Sequence, residues 1–220
     1  MAYNIIRTGE SRSFPAVHAF IENADASAAA CVYLGVQAGQ QYVREQADRR
    51  AAPFVAIELE NECLGAWVEE PANAAEPSKV FGFARFRLGT ADPTNLIELV
   101  VPANPDQAAL AAARKAFEDA GFVVAVCGDF PGRIVDRLVR PYYNAALRRL
   151  DERLATASDM DMTLRMGLGY PEGPIALLER TGLEHHYTVT QALYEALGDG
   201  AYAPARRAVN AFARSKLVTG

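Results

Sequence analysis

The chain has 220 residues, half of them hydrophobic and 22% charged, with a formal net charge of −5. This is enough chain for one large domain or two small ones with filled cores. The acidic balance, with a pI near 5.3, excludes a general nucleic-acid or anionic-membrane binder, which would be basic.

No apolar run approaches the roughly 20 residues that cross a bilayer. The opening, MAYNIIRTGES, has no basic segment followed by an apolar stretch, so no signal peptide is expected and the cytosol is the expected location. The three cysteines, Cys31, Cys63 and Cys127, are odd in number and widely spaced. They give neither a disulfide framework nor a zinc motif and read as small core hydrophobes.

The front half alternates between two patterns. Short β-like runs are Tyr3–Arg7, Ala29–Leu34, Phe54–Leu59, Val80–Phe86, Leu96–Val101 and Phe122–Val126. Several are nearly continuous apolar stretches, as in strands buried on both faces. Helical patterns fall between some of them, at Phe14–Asn23, Gln37–Arg49 and Gln107–Ala120. The last has Ala109, Leu110, Ala113 and Phe117 on one stripe. Strand alternating with helix predicts a mostly parallel α/β sheet. Glu69–Lys79, rich in Pro, Ala and Glu, reads as a loop.

The character changes at Asp129-Phe130-Pro131-Gly132, and the rest is helical. A first long helix is expected from about Pro131 to Arg153, burying Ile134, Leu138, Tyr142, Ala145 and Leu150. Thr156 is expected to cap a second, with Asp159 three positions on as a variant capping box. That helix stops near Gly167–Gly169. Ile175–Arg180, Glu184–Leu197 (ending at Gly198) and Arg206–Leu217 complete the set. Strands then helices predict two domains, 1–128 and 129–220.

The back half resembles the helical domain of 3-hydroxyacyl-CoA dehydrogenases. The run from Asp129 to Tyr142 is similar to that domain's opening turn and long helix. Ala155–Asp161 resembles the family's "ATPEDID" segment, and Gly167–Pro174 its "GLGYPMGP" segment. His186–Pro204 is family-like too. Several motifs in order over about 75 residues make a specific signal. Val80–Phe86 followed by Leu96–Val100 resembles the end of the family's nucleotide-binding domain. Before residue 80 the likeness is architectural. The chain looks most like the second, degenerate copy of the double-length members, standing alone with its own Met1. The fold class this implies is α/β plus all-α: a truncated Rossmann-like, mostly parallel sheet followed by a helical dimerisation domain.

The parts hydride transfer needs are missing from the expected places. The dinucleotide fingerprint GxGxxG follows the first strand so that backbone can approach a pyrophosphate. Here that turn reads Thr8-Gly9-Glu10-Ser11-Arg12, with one glycine and a repelling carboxylate. The GxG at Gly167–Gly169 lies between helices and reads as a helix-terminating turn. The family's catalytic histidine falls on Ala84, Arg85 or Phe86, and none is a general base near neutral pH. The family glutamate matches Glu98, and its long-helix asparagine matches Asp136. Both are candidate catalytic residues. Glu98 also reads as a strand-end carboxylate paired to an arginine such as Arg85.

The remaining candidates are histidines and arginines. His18 lies in a front-half helical stretch. His185 and His186 are adjacent, a spacing that suits one packed ring and one solvated ring better than a metal site, and no metal is expected. Cys127 is not expected to form a thiolate beside Asp129. Arg133, Arg137 and Arg140 share a helical face at i, i+4 and i+7. They read either as a solvated face paired to carboxylates such as Asp136 and Glu152, or as an anion site for the phosphates of CoA.

Two functions remain open. One is a non-catalytic family member of fatty-acid and acyl-CoA metabolism, with no cofactor, acting in assembly or acyl-CoA binding. The other is an active 3-hydroxyacyl-CoA dehydrogenase, or a subunit of one, oxidising a 3-hydroxyacyl-CoA with NAD, with or without a partner chain. Either way the helical domain is expected to form a homodimer or heteromer, with no nucleic-acid or membrane partner.

Overall fold

The structure is a computed structural model that describes residues 2–69 and 76–218. The chain divides into two compact units: Met1–Arg87 with Pro93–Arg133, and Leu88–Asp92 with Ile134–Gly220. Of the loop expected at Glu69–Lys79, residues 70–75 lie outside the described residues.

The first unit holds one six-stranded sheet. Its strands are β1 (Asn4–Arg7), β2 (Cys31–Leu34), β3 (Val55–Glu58), β4 (Val80–Arg85), β5 (Leu96–Val101) and β6 (Val123–Gly128). They lie in chain order, all parallel except the β4–β5 pair. Every run read as a strand in the sequence is one. The usual doubly wound order reverses at the first strand, as 3-2-1-4-5-6. Here there is no reversal, and β1 is an edge.

The sheet is buried on both faces because its strands carry apolar residues at nearly every position. One face packs Val32, Leu34, Phe81, Phe83, Ile97 and Leu99 against α3 (Gln107–Asp119) and Phe20 of α1 (Ala19–Glu22). Rings stack through this layer, with Phe20 5.0 Å from Phe117 and 4.6 Å from Tyr3. The other face packs Tyr33, Val55, Ile57 and Val100 against Ala38 and Tyr42 of α2 (Ala38–Glu45) and Leu64.

Two front helices are shorter than their sequence patterns. α1 does not begin at Phe14, because the preceding residues are tied elsewhere and His18 supplies the cap by accepting from Phe20 N at 3.1 Å. α2 ends at Glu45, and Arg49 folds back to that carboxylate and to Tyr33 Oη. Asp106 caps α3 as its carboxylate accepts from Ala109 N at 2.9 Å.

The second unit is all-helical: α4 (Val135–Asp151), α5 (Ala157–Leu168), α6 (Pro174–Thr181), α7 (Leu183–Leu197) and α8 (Arg206–Val218). The expected stops hold, with Gly169 and Gly198 as left-handed C-caps of α5 and α7. Thr156 caps α5 through Asp159 N at 3.1 Å.

The expected buried face of α4 is a correction. Leu138 is 71% exposed and Ala145 is exposed, while Asp136, Arg140, Tyr143, Asn144 and Leu147 are buried. The helix turns a stripe of polar residues inward because α7 offers them partners. Pro141 sits inside α4, and a proline there releases the carbonyl four residues back. That carbonyl, of Arg137, accepts from Tyr202 Oη at 3.0 Å, so the break costs no buried acceptor.

Candidate functional site

At the carboxyl ends of β1 to β3, where parallel sheets bind ligands, a carboxylate of the chain itself holds the loops together. Glu58, the last residue of β3, is buried. Its Oε1 accepts from Ser13 N at 2.7 Å and Ser11 Oγ at 2.9 Å, and its Oε2 accepts from Gly35 N at 2.7 Å. Gly35 has φ +105, and a Cβ there would meet Gly9 O at 2.8 Å. Glycine is therefore required where the turn after β2 meets the turn after β1. A pyrophosphate would be met by strand-end amides of this kind, and here two of them already serve Glu58. With one glycine in the first turn and this carboxylate in place, the residues present do not fit a dinucleotide held in the usual way.

Glu98 lies in the middle of β5 and is 2% exposed. Arg133 pairs with it, with Nε 3.5 Å from Oε2. Arg85 donates to the carbonyls of Thr94 and Pro93 and lies over the rings of Phe14 and Phe122. Arg133 also donates to Glu60 O at 2.8 Å. It has φ +50, a left-handed backbone that disfavours a residue with a Cβ. Nearby, Asp129 accepts from Leu64 N and Gly65 N, both at 2.7 Å, at a turn of 3-10 helix (Leu64–Ala66). Burial, and after it Glu98, pushes the Cys127 thiol up to about 11. It is therefore no ready thiolate.

In the second unit, Asp136 is buried, and its Oδ1 accepts from Arg140 Nε at 2.7 Å. Arg140, 1% exposed, also donates to His186 Nδ1 at 2.9 Å. An arginine only donates, so Nδ1 accepts and the His186 proton sits on Nε2. Nε2 donates to Asn144 Oδ1 at 2.9 Å. Asn144 Nδ2 donates to Thr190 Oγ1 at 2.7 Å, and Thr190 donates to Tyr202 O at 2.7 Å. Burial first, and Arg140 second, push His186 down to about 3. His185 is about half exposed beside Glu184, so one histidine of the pair is packed and one faces solvent, as expected.

The three arginines expected to share a phosphate site do not share a face. Arg133 precedes α4, and Arg140 is buried in its network, so neither is a helix-surface cation. Of the three, Arg137 alone is a half-buried residue of the helix. The adjacent pair Arg149–Glu152 is a surface ion pair.

Sequence reasoning missed Asp161. Its two carboxylate oxygens accept from Ile175 N and Ala176 N, both at 2.9 Å, and so cap α6 from 14 residues away. A Cβ on Gly173 would collide with the Asp161 side chain. The two motifs at Ala155–Asp161 and Gly167–Pro174 therefore form one capping device. The signal was the pairing of an aspartate with a Gly-Pro helix start.

Among the described residues no cluster of His, Cys, Asp or Glu could hold a metal ion. No helix among them is long and apolar enough to cross a membrane.

Fold and sites together define the class: an α/β unit with a mostly parallel sheet, then an all-helical unit built round a buried polar network. Residues 132–218 match the family described as 3-hydroxyacyl-CoA dehydrogenase, C-terminal domain. Over this helical segment the chain is similar to the C-terminal domain of 3-hydroxyacyl-CoA dehydrogenases.

It is 33% identical over 109 residues to a 3-hydroxybutyryl-CoA dehydrogenase of Bradyrhizobium diazoefficiens, covering 50% of this chain and 37% of that one. It is 35% identical over 94 residues to the 3-hydroxyadipyl-CoA dehydrogenase of Escherichia coli, covering 43% and 19%. The chain thus matches less than half the length of either relative. In fold it is similar to the 3-hydroxybutyryl-CoA dehydrogenase of Escherichia coli, with a TM-score of 0.69 at 22% identity over 90% of this chain and 41% of that one. It is also similar to the Ralstonia eutropha (S)-3-hydroxybutyryl-CoA dehydrogenase, with a TM-score of 0.69 at 21% identity over 84% and 65%.

Proposed function

We propose that this protein is a 3-hydroxyacyl-CoA dehydrogenase-like member of fatty-acid and acyl-CoA metabolism that transfers no hydride by itself and acts in assembly or acyl-CoA binding. The observation that carries this is Glu58, whose carboxylate engages the strand-end amides that a dinucleotide would need. The family's glutamate and asparagine positions agree with it. Glu98 is buried against Arg133, and Asp136 is tied to Arg140. Neither is an exposed base beside a histidine.

The helical unit supports the assembly half of the reading. α5 buries none of its residues and exposes Met162, Met166 and Leu168. Leu138 of α4 is also exposed. Exposed apolar residues at this density suit a protein partner, a second copy of this chain or a longer relative. A longer relative would bring its own NAD-binding domain, and the pair would then be the active dehydrogenase.

The test is the purified protein with 3-hydroxybutyryl-CoA and NAD, then with acetoacetyl-CoA by calorimetry. Saturable acetoacetyl-CoA binding, or a stable dimer by light scattering that Met166→Glu dissociates, without NADH formation supports the reading. Robust NADH formation by the chain alone overturns it.

A further inference from the structure

We propose that the outer edge of β6 is an interface that pairs, antiparallel, with the β6 of a second copy of this chain, joining two six-stranded sheets into one. This inference stands on the first unit alone and does not depend on the α5 surface of the helical unit.

β6 ends the sheet, with β5 as its neighbour. Val123 N donates to Asn95 O at 2.9 Å, so the backbone of Val123 faces β5. Backbone groups alternate in direction along a strand. Ala125 and Cys127 therefore face β5 as well, and the N–H and C=O groups of Val124 and Val126 point away from the sheet. Among the described residues no hydrogen bond from outside the ladder reaches them. The first charge after the strand, Asp129, is held by the amides of Leu64 and Gly65.

Sheet edges are ordinarily guarded by a charge, a proline or a bulge. β6 reads VVAVCG and pairs with β5 residue for residue, so it has none of the three. Val123 is 66% and Val126 40% exposed. The opposite edge, β1, is shorter and ends on an exposed charge, Arg7. A second copy suits the open edge because its β6 is already extended and fixed against β5, so pairing orders no free chain. An uncharged strand also meets itself without repulsion. About a two-fold axis at Ala125 the edge is self-complementary. In that register Val124 of each copy exchanges both backbone hydrogen bonds with Val126 of the other. Val123 of each then lies opposite Cys127 of the other, so both exposed valines are covered.

The test is light scattering over a dilution series of Met166→Glu, in which association through α5 is removed. The mass is expected to rise with concentration from 23.8 kDa toward twice that value. Val126→Lys adds a charge to the edge. Val126→Pro removes an outward N–H and leaves the bonds to β5. Each, added to Met166→Glu, is expected to keep the chain monomeric, and circular dichroism checks its fold. Amide exchange by NMR needs no change in the strand, and the N–H groups of Val124 and Val126 are expected to become protected as the dimer forms. A monomer up to about 1 mM, the weak end of association, overturns the proposal. So does a dimer that survives both Val126 variants, or one in which the Val124 and Val126 amides exchange as fast as in the monomer. The α5 reading is judged separately, by whether Met166→Glu alone lowers the mass of the unaltered protein.

Discussion

The two units keep their interiors together by opposite means. In the first, apolar rings and branched chains fill both faces of a sheet, and the buried charges Glu58 and Glu98 sit at single points. In the second, the long helix turns Asp136, Arg140 and Asn144 inward to a histidine and a threonine, and leaves Leu138 outside. The difference teaches where hydrophobic pattern is a guide. It locates a sheet core, because nearly every strand position there needs an apolar side chain. It misplaces a helix face when the neighbouring helix supplies exact polar partners.

The comparison breaks most visibly at Arg140. Arg140→Ala leaves Asp136 buried and unpaired and is expected to cost about 3–5 kcal/mol in chemical denaturation of the helical unit. The double replacement Asp136→Leu with Arg140→Met should cost less than that single change, because no orphaned charge remains. A double as costly as the single would mean the pair does not act as a unit. Phe117→Ala in the sheet unit is expected to cost a similar ~3–5 kcal/mol through a cavity in the ring stack, with no such rescue.

Next in size is Asp161→Ala. It uncaps α6 by removing two acceptors and should cost about 1–2 kcal/mol.

The two units should also part in acid. His186 is held neutral in the fold, at about 3, below its unfolded value of 6.5. The unfolded chain then binds the extra proton between those two values, so this contribution is complete above about pH 6.5 and is lost as pH falls toward 3. The expected slope is up to about 1.4 kcal/mol per pH unit for the helical unit, and His186→Gln should flatten it. Thr156→Ala, the loss of one exposed cap, is the smallest change, about 1 kcal/mol.

Much of this was legible in the sequence. The six strands, the order of the helices and the caps at Thr156 and Gly198 depend on local chemistry that short stretches carry. The missing fingerprint at Thr8–Arg12 was legible for the same reason. Glu58 was not, because its partners Ser11, Ser13 and Gly35 come from other segments and nothing in the VAIE run marks a carboxylate that turns back on loop amides. The arginines of α4 misled because spacing assigns a face and cannot say whether that face is solvated. Arg140 and Asp136 became a buried pair only once His186 stood opposite.

The most direct test of the central claim is a calorimetric titration of the purified chain with NADH at low salt, beside the variant Glu58→Gly. The account predicts no micromolar NADH binding by the unaltered protein. Saturable micromolar binding by the unaltered protein, lost on competition with NAD, would contradict it and restore the chain to the NAD-dependent enzymes.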